Sequence, residues 1–344
     1  MRVPRFRLFS ALALCASLGC ATESIESLDP VDPSSDSATV IRGVPVQLYS
    51  DDPERRTVGR LRFRSGLHLT ANHEGFGGFS GLVIDGHQLV AVSDRGDWLS
   101  AVVASEDDGD VTGLTRAQMG TLCDDDGSPV NAFERRDAEE IQQLPGRGFL
   151  VSFERHHRLA LFPFLDDSAS PLSGRPQPFP FPPVIVSTRP NKGMEAVVLL
   201  TDGRLLTFAE ELRTVDNDII GWIGHPELED WRHLTLVSKE DYLPTGAALL
   251  PGGDVLLLER SFRKPIGNWI RLSILPKDDL QPDSRLEPIE LAILEPPATT
   301  DNMEAVATAP GPGGETFIYL MSDDNFSTQQ RTLLMQFELL PAKN

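Results

Sequence analysis

Five acidic residues close five similar apolar segments of this chain: Asp94, Glu154, Glu210, Glu259 and Asp323. The segments read FSGLVIDGHQLVAVSDR (79–95), AEEIQQLPGRGFLVSFER (138–155), GMEAVVLLTDGRLLTFAEE (193–211), TGAALLPGGDVLLLER (245–260) and NMEAVATAPGPGGETFIYLMSDD (302–324). Each opens on a small or acidic residue, runs through an apolar strand, a glycine turn and a second apolar strand, and ends on the acid. In a hairpin with a tight turn, residues equidistant from the turn lie opposite each other. Glu195 and Glu210 are centred on Asp202-Gly203, Glu304 and Asp323 on Gly313-Gly314, and Glu140 and Glu154 on Arg147. Gly81 and Gly246 stand at the opening position in the first and fourth copies, where they leave gaps for a ligand to approach the backbone. If the hairpins are arranged around one axis, up to eight carboxylates converge: Asp94, Glu140, Glu154, Glu195, Glu210, Glu259, Glu304 and Asp323.

Carboxylates so close together cannot all ionise unaided; they take up protons, pair with cations or bind a metal. Oxygen ligands favour a hard cation, Ca²⁺ first and Mg²⁺ or Mn²⁺ behind it. No His/Cys cluster has the ligand spacing of a zinc site. Arg95, Arg155 and Arg260 each follow a terminal acid, so they either neutralise the acids or clamp an anionic substrate, with Arg263 and Lys264 nearby. For catalysis the candidates are Glu195 and Glu304 in the acid set and His156 in SFERHH, as a general acid or a phosphate ligand. Ser80 is either a nucleophile or a small residue at a tight approach, and no G-x-S-x-G elbow supports a serine hydrolase. The run DDDG at 124–127 lacks the alternating acids of an EF-hand and reads as a solvated turn.

The elements that must position these acids are strands. Helical periodicity is scarce after residue 40, and 28 glycines with 27 prolines break the chain into short Val/Leu/Ile/Phe runs. A hairpin recurring about every fifty to sixty residues suits the four-stranded blade of a β-propeller. Outer strands follow each copy: WLSAVVAS and 111–122, then RLALFPF and PVIVS, DIIGWIG and WRHLTLVS, WIRLSIL and IELAIL, and finally RTLLMQFEL alone. The segment LRFRSGLHLT, 61–70, supplies the missing strand from the other end of the chain and closes the last blade without a long exposed edge. The count is five four-stranded blades, with six as an alternative because residues 40–58 are unassigned. ERRDAEEIQQ (134–143) has helical propensity, but the repeat places a strand there, and PQPFPFPP (176–183) reads as an extended connector between outer strands.

The 344 residues are 40% hydrophobic and carry a formal net charge of −20, which permits a large core and argues against a nucleic-acid partner. Residues 1–19 read as a secretory signal: three arginines, then a short apolar run too short to span a bilayer. Cys20 stands where a bacterial lipoprotein signal places the lipidated residue, although Ser17 departs from the usual Leu, so ordinary cleavage is the alternative. Removing residues 1–19 takes away three arginines and no acids, giving a mature charge of −23. Residues 20–40 read as a flexible tether after Cys20 and 41–344 as the folded domain. The expected protein is an exported monomer of the periplasm or cell envelope, touching a membrane only through a lipid anchor, with Cys123 as its free thiol.

The segments GFGGFSGLVIDG, VSDRGDW, DAEEI, GMEA, NMEA and MSDDNF resemble, in order, the phytase-like (esterase-like) β-propeller family of exported bacterial proteins. The resemblance runs over most of residues 59–340. It implies a propeller and a phosphoester or ester hydrolase activity on a small anionic ester. Two departures are Lys192 in NKGMEA, at a spot often acidic in the family, and the lack of an opening Glu in copy four. The alternative is a non-catalytic envelope binding module in which calcium is structural and the propeller face holds a glycan or protein.

Overall fold

The computed structural model describes residues 39–165, 170–190, 192–239 and 241–342. These residues form five antiparallel sheets arranged as a five-bladed β-propeller. Cys20, the signal segment and nearly all of the tether lie outside them.

Blade 1 consists of Phe79–Asp85, Gln88–Ser93, Asp97–Ser105 and Val111–Thr121, and blade 2 of Ala138–Leu144, Gly148–Phe153, Arg158–Pro163 and Gln177–Phe179. Blade 3 is built from Met194–Leu199, Leu205–Arg213, Ile219–Gly224 and Arg232–Leu236, with Arg285–Leu286 added parallel to its outer edge. Blade 4 contains Leu243–Leu249, Val255–Arg263, Gly267–Leu275 and Ile289–Leu294. Blade 5 takes Asn302–Pro310, Thr316–Asp323 and Thr332–Leu339 from the end of the chain and Leu61–Ala71 from its beginning. That last pairing closes the ring, and Ile41–Pro45 pairs with the far side of Leu61–Ala71. Residues 40–58 therefore thicken blade 5 and do not begin a sixth blade.

The first strand of each blade packs beside the first strands of the two neighbouring blades, so these strands line the axis. Both faces of every blade are apolar, because each is pressed between two others. Five hydrophobic clusters result, one at each blade interface. At the junction of blades 4 and 5, for example, Leu256, Leu258 and Leu272 meet Ile318, Leu320 and Phe337.

Two outer-strand expectations are corrected. PVIVS forms a 3-10 turn, Pro183–Ser187, which buries Ile185 but forms no ladder. The fourth strand of blade 2 comes instead from the proline-rich segment, where Pro178 lies opposite Ala160 on the sheet edge. An edge strand tolerates proline because its missing N–H faces away from the ladder. ERRDAEEIQQ provides a strand, as the repeat requires.

Candidate metal centre

Every blade carries a β-bulge at the same place in its first strand. Pairing slips by one residue between Phe79 and Gly81, Ala138 and Ile141, Glu195 and Val198, Pro244 and Gly246, and Met303 and Ala305. Bulges re-aim side chains, and here the effect repeats around the axis. Aligned on the bulge, Ser80, Glu139, Glu195, Thr245 and Glu304 become equivalent, and so do Asp94, Glu154, Glu210, Arg260 and Asp323. All of these except Ser80 line one cavity of about 1030 Å³ at the channel mouth.

The bulge corrects the facing pairs expected from turn-centred counting. Glu195 lies opposite Phe208, not Glu210, and Asn302, not Glu304, lies opposite Asp323. In blade 2 the ring position belongs to Glu139. Glu140 is buried inside the channel, where its carboxyl accepts hydrogen bonds from the N–H groups of Ile141 (3.0 Å) and, across the axis, Ala247 (3.3 Å). In blade 4 the ring position belongs to Arg260. Glu259 lies opposite Pro244, points the other way, and is fully buried against Arg271 Nη1 (3.0 Å) and the hydroxyl of Ser273 (3.0 Å). Gly81 and Gly246 do not open gaps for a ligand. A Cβ on Gly81 would come within 2.7 Å of Ile141 N, and one on Gly246 within 2.7 Å of Glu304 O, so both glycines admit a neighbouring blade.

Two carboxylate triads occupy the mouth: Asp137 with Glu139 and Glu154, and Glu154 with Glu195 and Glu210. Within each, one oxygen per residue lies within 4.8 Å of the others, and Glu154 belongs to both. The main-chain N–H of Gly193 donates to Glu154 Oε1 and holds it in place. Three cations stand among the acids: Arg155 Nε is 2.6 Å from Asp137, Lys192 Nζ 2.6 Å from Glu210, and Arg260 Nη2 3.2 Å from Glu304. Among the described residues they do not match the acids in number, because Asp94, Asp301 and Asp323 face the same cavity and Arg331 adds one more cation.

Burial and mutual repulsion show in the protonation. Burial, then the charges of Asp137 and Glu304, pushes Asp94 up to about 6. Burial first, with neighbouring carboxylates behind it, raises Glu154 to about 8 and Asp323 to about 8. Glu139 and Glu195 are raised well above the usual carboxylate range for the same reasons. Glu304 is raised by burial, against the opposing pull of Arg260 and of Asn302 Nδ2, which donates to Oε1 at 2.9 Å. At neutral pH several of these acids therefore hold protons that a divalent cation would displace.

The remaining candidates are dispersed. Arg95 stacks on the Phe326 ring, 3.3 Å from its centroid, outside the cavity lining. His156 is exposed and lies outside the lining too; its neighbour His157 contacts Arg189 O and Thr188 Oγ1. Ser80 is buried, its hydroxyl donating to Ala138 O at 2.6 Å. Asp124–Gly127 is a turn fixed by Arg135, and Cys123 is a half-buried free thiol. Sequence reasoning missed Asp137 and Glu139. The available signal was the match of Ala138-Glu139 to Met194-Glu195 and Met303-Glu304, counted from the start of each hairpin rather than from its turn. The glycine motif does serve the site: Gly78, at φ +62°, donates its N–H to Asp324, and a Cβ there would overlap the Asp94 carboxylate and Phe326.

A family model described as "Phytase-like: Esterase-like activity of phytase" matches residues 74–326. A search of curated proteins finds no match. Among solved structures the chain is similar to the α-L-arabinofuranosidase from Podospora anserina in complex with cellotriose (11% identity, 77% of this chain and 93% of that one, TM-score 0.48). It is similar also to a protein of unknown function from Dyadobacter fermentans (12%, 88% and 92%, 0.43). A third is the β-propeller domain of Cps50 (Swd1) from Myceliophteria thermophila (10%, 87% and 98%, 0.41). These structural likenesses assign no chemistry.

Proposed function

The chain belongs to the phytase-like family, and from that premise we propose that it is a calcium-dependent hydrolase of phosphate esters or related esters. The observation that carries the reading is the carboxylate of Glu154, shared by two triads. The donor set fits a hard cation: it is all oxygen, and separations within 4.8 Å suit oxygens on one Ca²⁺, whose bonds run about 2.3–2.6 Å. Mg²⁺, with bonds of about 2.0–2.1 Å, asks for tighter closure, and it and Mn²⁺ rank behind. Asp137, Glu139, Glu154, Glu195 and Glu210 would hold the ion. When bound, it would supply Lewis acidity toward the ester oxygens and make water more acidic.

The protein's own groups do the rest. Blade 4 puts Thr245 and Arg260 where the other blades put mostly acids, so an anionic group enters on that side with least repulsion. Arg260 and Arg155, both facing the cavity, hold its oxygens. Glu304, fixed by Asn302 and Arg260, takes a proton from the attacking water. The water oxygen bonds to phosphorus, the P–O ester bond breaks, and the alcohol leaves with the proton that Glu304 took from the water, so phosphate and alcohol are the products. His156, outside the cavity, takes no part.

The test is hydrolysis of phosphate monoesters, phytate and carboxylic esters by the purified protein, with calcium and with EDTA. Calcium-dependent turnover that falls at least 100-fold in Glu195→Gln and Glu304→Gln supports the reading. No turnover above those variants overturns it, and a calcium-induced rise in melting temperature without turnover would leave a binding module with a structural ion. We propose also, from the signal-like residues 1–19 and Cys20, that the enzyme works outside the cytoplasm on a lipid anchor. Cys20→Ala releasing the protein from the membrane fraction is the expected result.

A further inference from the structure

Blade 4 departs from the others in a second way. In blades 1, 2 and 5 the pairing of second and third strands stops before the ring acid, at Val92↔Trp98, Phe153↔Arg158 and Met321↔Leu334, and in blade 3 it breaks register after Phe208. In blade 4 it continues unbroken through Glu259↔Arg271 to Arg263↔Gly267. A regular two-stranded ribbon therefore rises beside the mouth, three residues or about 10 Å past Arg260.

Strand alternation sorts its side chains. Ser261 and Arg263 share the face away from the cavity, where the Arg263 guanidinium lies 4.0 Å from the centroid of the Trp269 ring and 5.5 Å from that of Tyr242. Arg260 and Phe262 share the face that lines the cavity, and Ile266, in the turn, lines it as well. Phe262 is 59% exposed and Ile266 56% exposed. Two large apolar side chains stay in water beside a site rich in carboxylates, and none of the described residues covers them. What sets these two apart from the chain's other exposed apolar side chains is that they line the cavity, and ligand sites combine such apolar lining with a few placed polar groups.

Arg260 and Phe262 are two residues apart on one strand face, so an anion-binding group and an apolar surface stand about 7 Å apart. That is the reach from a phosphoryl group to the far part of an aryl ring or short alkyl chain joined to it. We propose that the ribbon is the specificity element of the site and selects phosphate monoesters whose alcohol is apolar, with the phosphoryl end at Arg260 and the apolar end against Phe262 and Ile266. The assignment of turnover rests on the hydrolase reading above; the assignment of the subsite does not.

The experiment compares 1-naphthyl phosphate with glycerol 2-phosphate in calcium, for the wild type, Phe262→Ser/Ile266→Ser and Phe262→Leu. Both positions are exposed, so the variants fold, which melting temperature confirms. The wild type is expected to favour the naphthyl ester in kcat/KM by at least about tenfold, the scale of a small apolar contact. That ratio should fall about tenfold in the double variant, through KM, and be largely kept in Phe262→Leu. Hydrolysis of both esters with an unchanged ratio in the double variant overturns the subsite and leaves the hydrolase reading standing. If neither ester is hydrolysed, the hydrolase reading fails, and calorimetric binding of 1-naphthyl phosphate decides the subsite. Weaker binding in the double variant upholds it, and equal binding overturns it.

Discussion

Replacing Glu154 by Gln separates the two demands made on this carboxyl. Its side chain is 1% exposed, and burial raises its pKa to about 8 from an ordinary 4.5. A raised pKa favours the folded state fully only below the unfolded value, and the benefit is lost as pH rises from 4.5 to 8. At pH 7, in EDTA, Glu154 therefore costs folding about 3 kcal/mol, at 1.36 kcal/mol per pKa unit. Gln has nearly the shape of the protonated acid, can still accept the Gly193 N–H, and carries no such penalty. The cation-free variant should be at least as stable as the wild type, and its stability flatter between pH 5 and 8. Calcium should close most of that gap, because it stabilises the wild type more. At a hundred times Kd it adds about 2.7 kcal/mol to the wild type, a rise of roughly 4 °C in Tm for a domain of this size. A hundredfold loss of affinity in the variant would leave about 0.4 kcal/mol, near 1 °C. Scanning calorimetry in EDTA and in calcium at pH 5 and 7 reads all of this. A variant that keeps the full calcium shift, or that melts several degrees below the wild type in EDTA, would refute the reasoning.

Three further outcomes follow from the same geometry. Calcium affinity should rise steeply with pH between 6 and 8, because Glu139, Glu154 and Glu195, all with raised pKa values, must shed protons; calorimetry at pH 7 in two buffers of different ionisation enthalpy should show at least one proton released per ion, and zero would be wrong for this site. Arg271→Leu strands Glu259 as a buried, unpaired acid and should cost about 3–5 kcal/mol by urea unfolding, with the calcium-induced Tm shift unchanged because Glu259 lies outside the ring. Gly78→Ala places a Cβ at positive φ against Asp94 and Phe326 and should cost about 1–3 kcal/mol by the same measurement; a loss below 0.3 kcal/mol, taken as roughly the noise of such comparisons, would show that the approach is not tight.

The five-fold repeat was legible because alternating apolar residues and glycine turns dictate hairpins whatever surrounds them. Closure by 61–70 was legible too, since the last repeat lacked a strand and the first segment lacked a sheet. The site was harder for a specific reason. Counting outward from a turn assumes an unbroken ladder, and one extra residue in each first strand defeats it. A slip of one residue turns a side chain to the other face. Hence Glu140 sits in the channel and Glu139 in the ring; Glu259, on the unbulged second strand, is one residue short of the ring position, which blade 4 gives to Arg260 instead of an acid. Asp94, Glu154, Glu210 and Asp323 survived the error because they lie on the second-strand side of each hairpin, which carries no extra residue. Asp137 precedes its hairpin, where repeat counting does not look. PVIVS has strand propensity, but Pro183 deprives it of an N–H donor directly after Pro182, and the edge of blade 2 falls to a segment whose proline can be spared.

The central claim is that the acids of the mouth share a cation through Glu154. Anomalous diffraction from crystals grown in calcium and soaked in Mn²⁺ tests it directly. The expected result is a peak within coordination distance of Glu154, with further oxygens from both triads around it. Clear density for these carboxylates with no peak among them, each turned instead to Arg155, Lys192 or Arg260, would contradict the account.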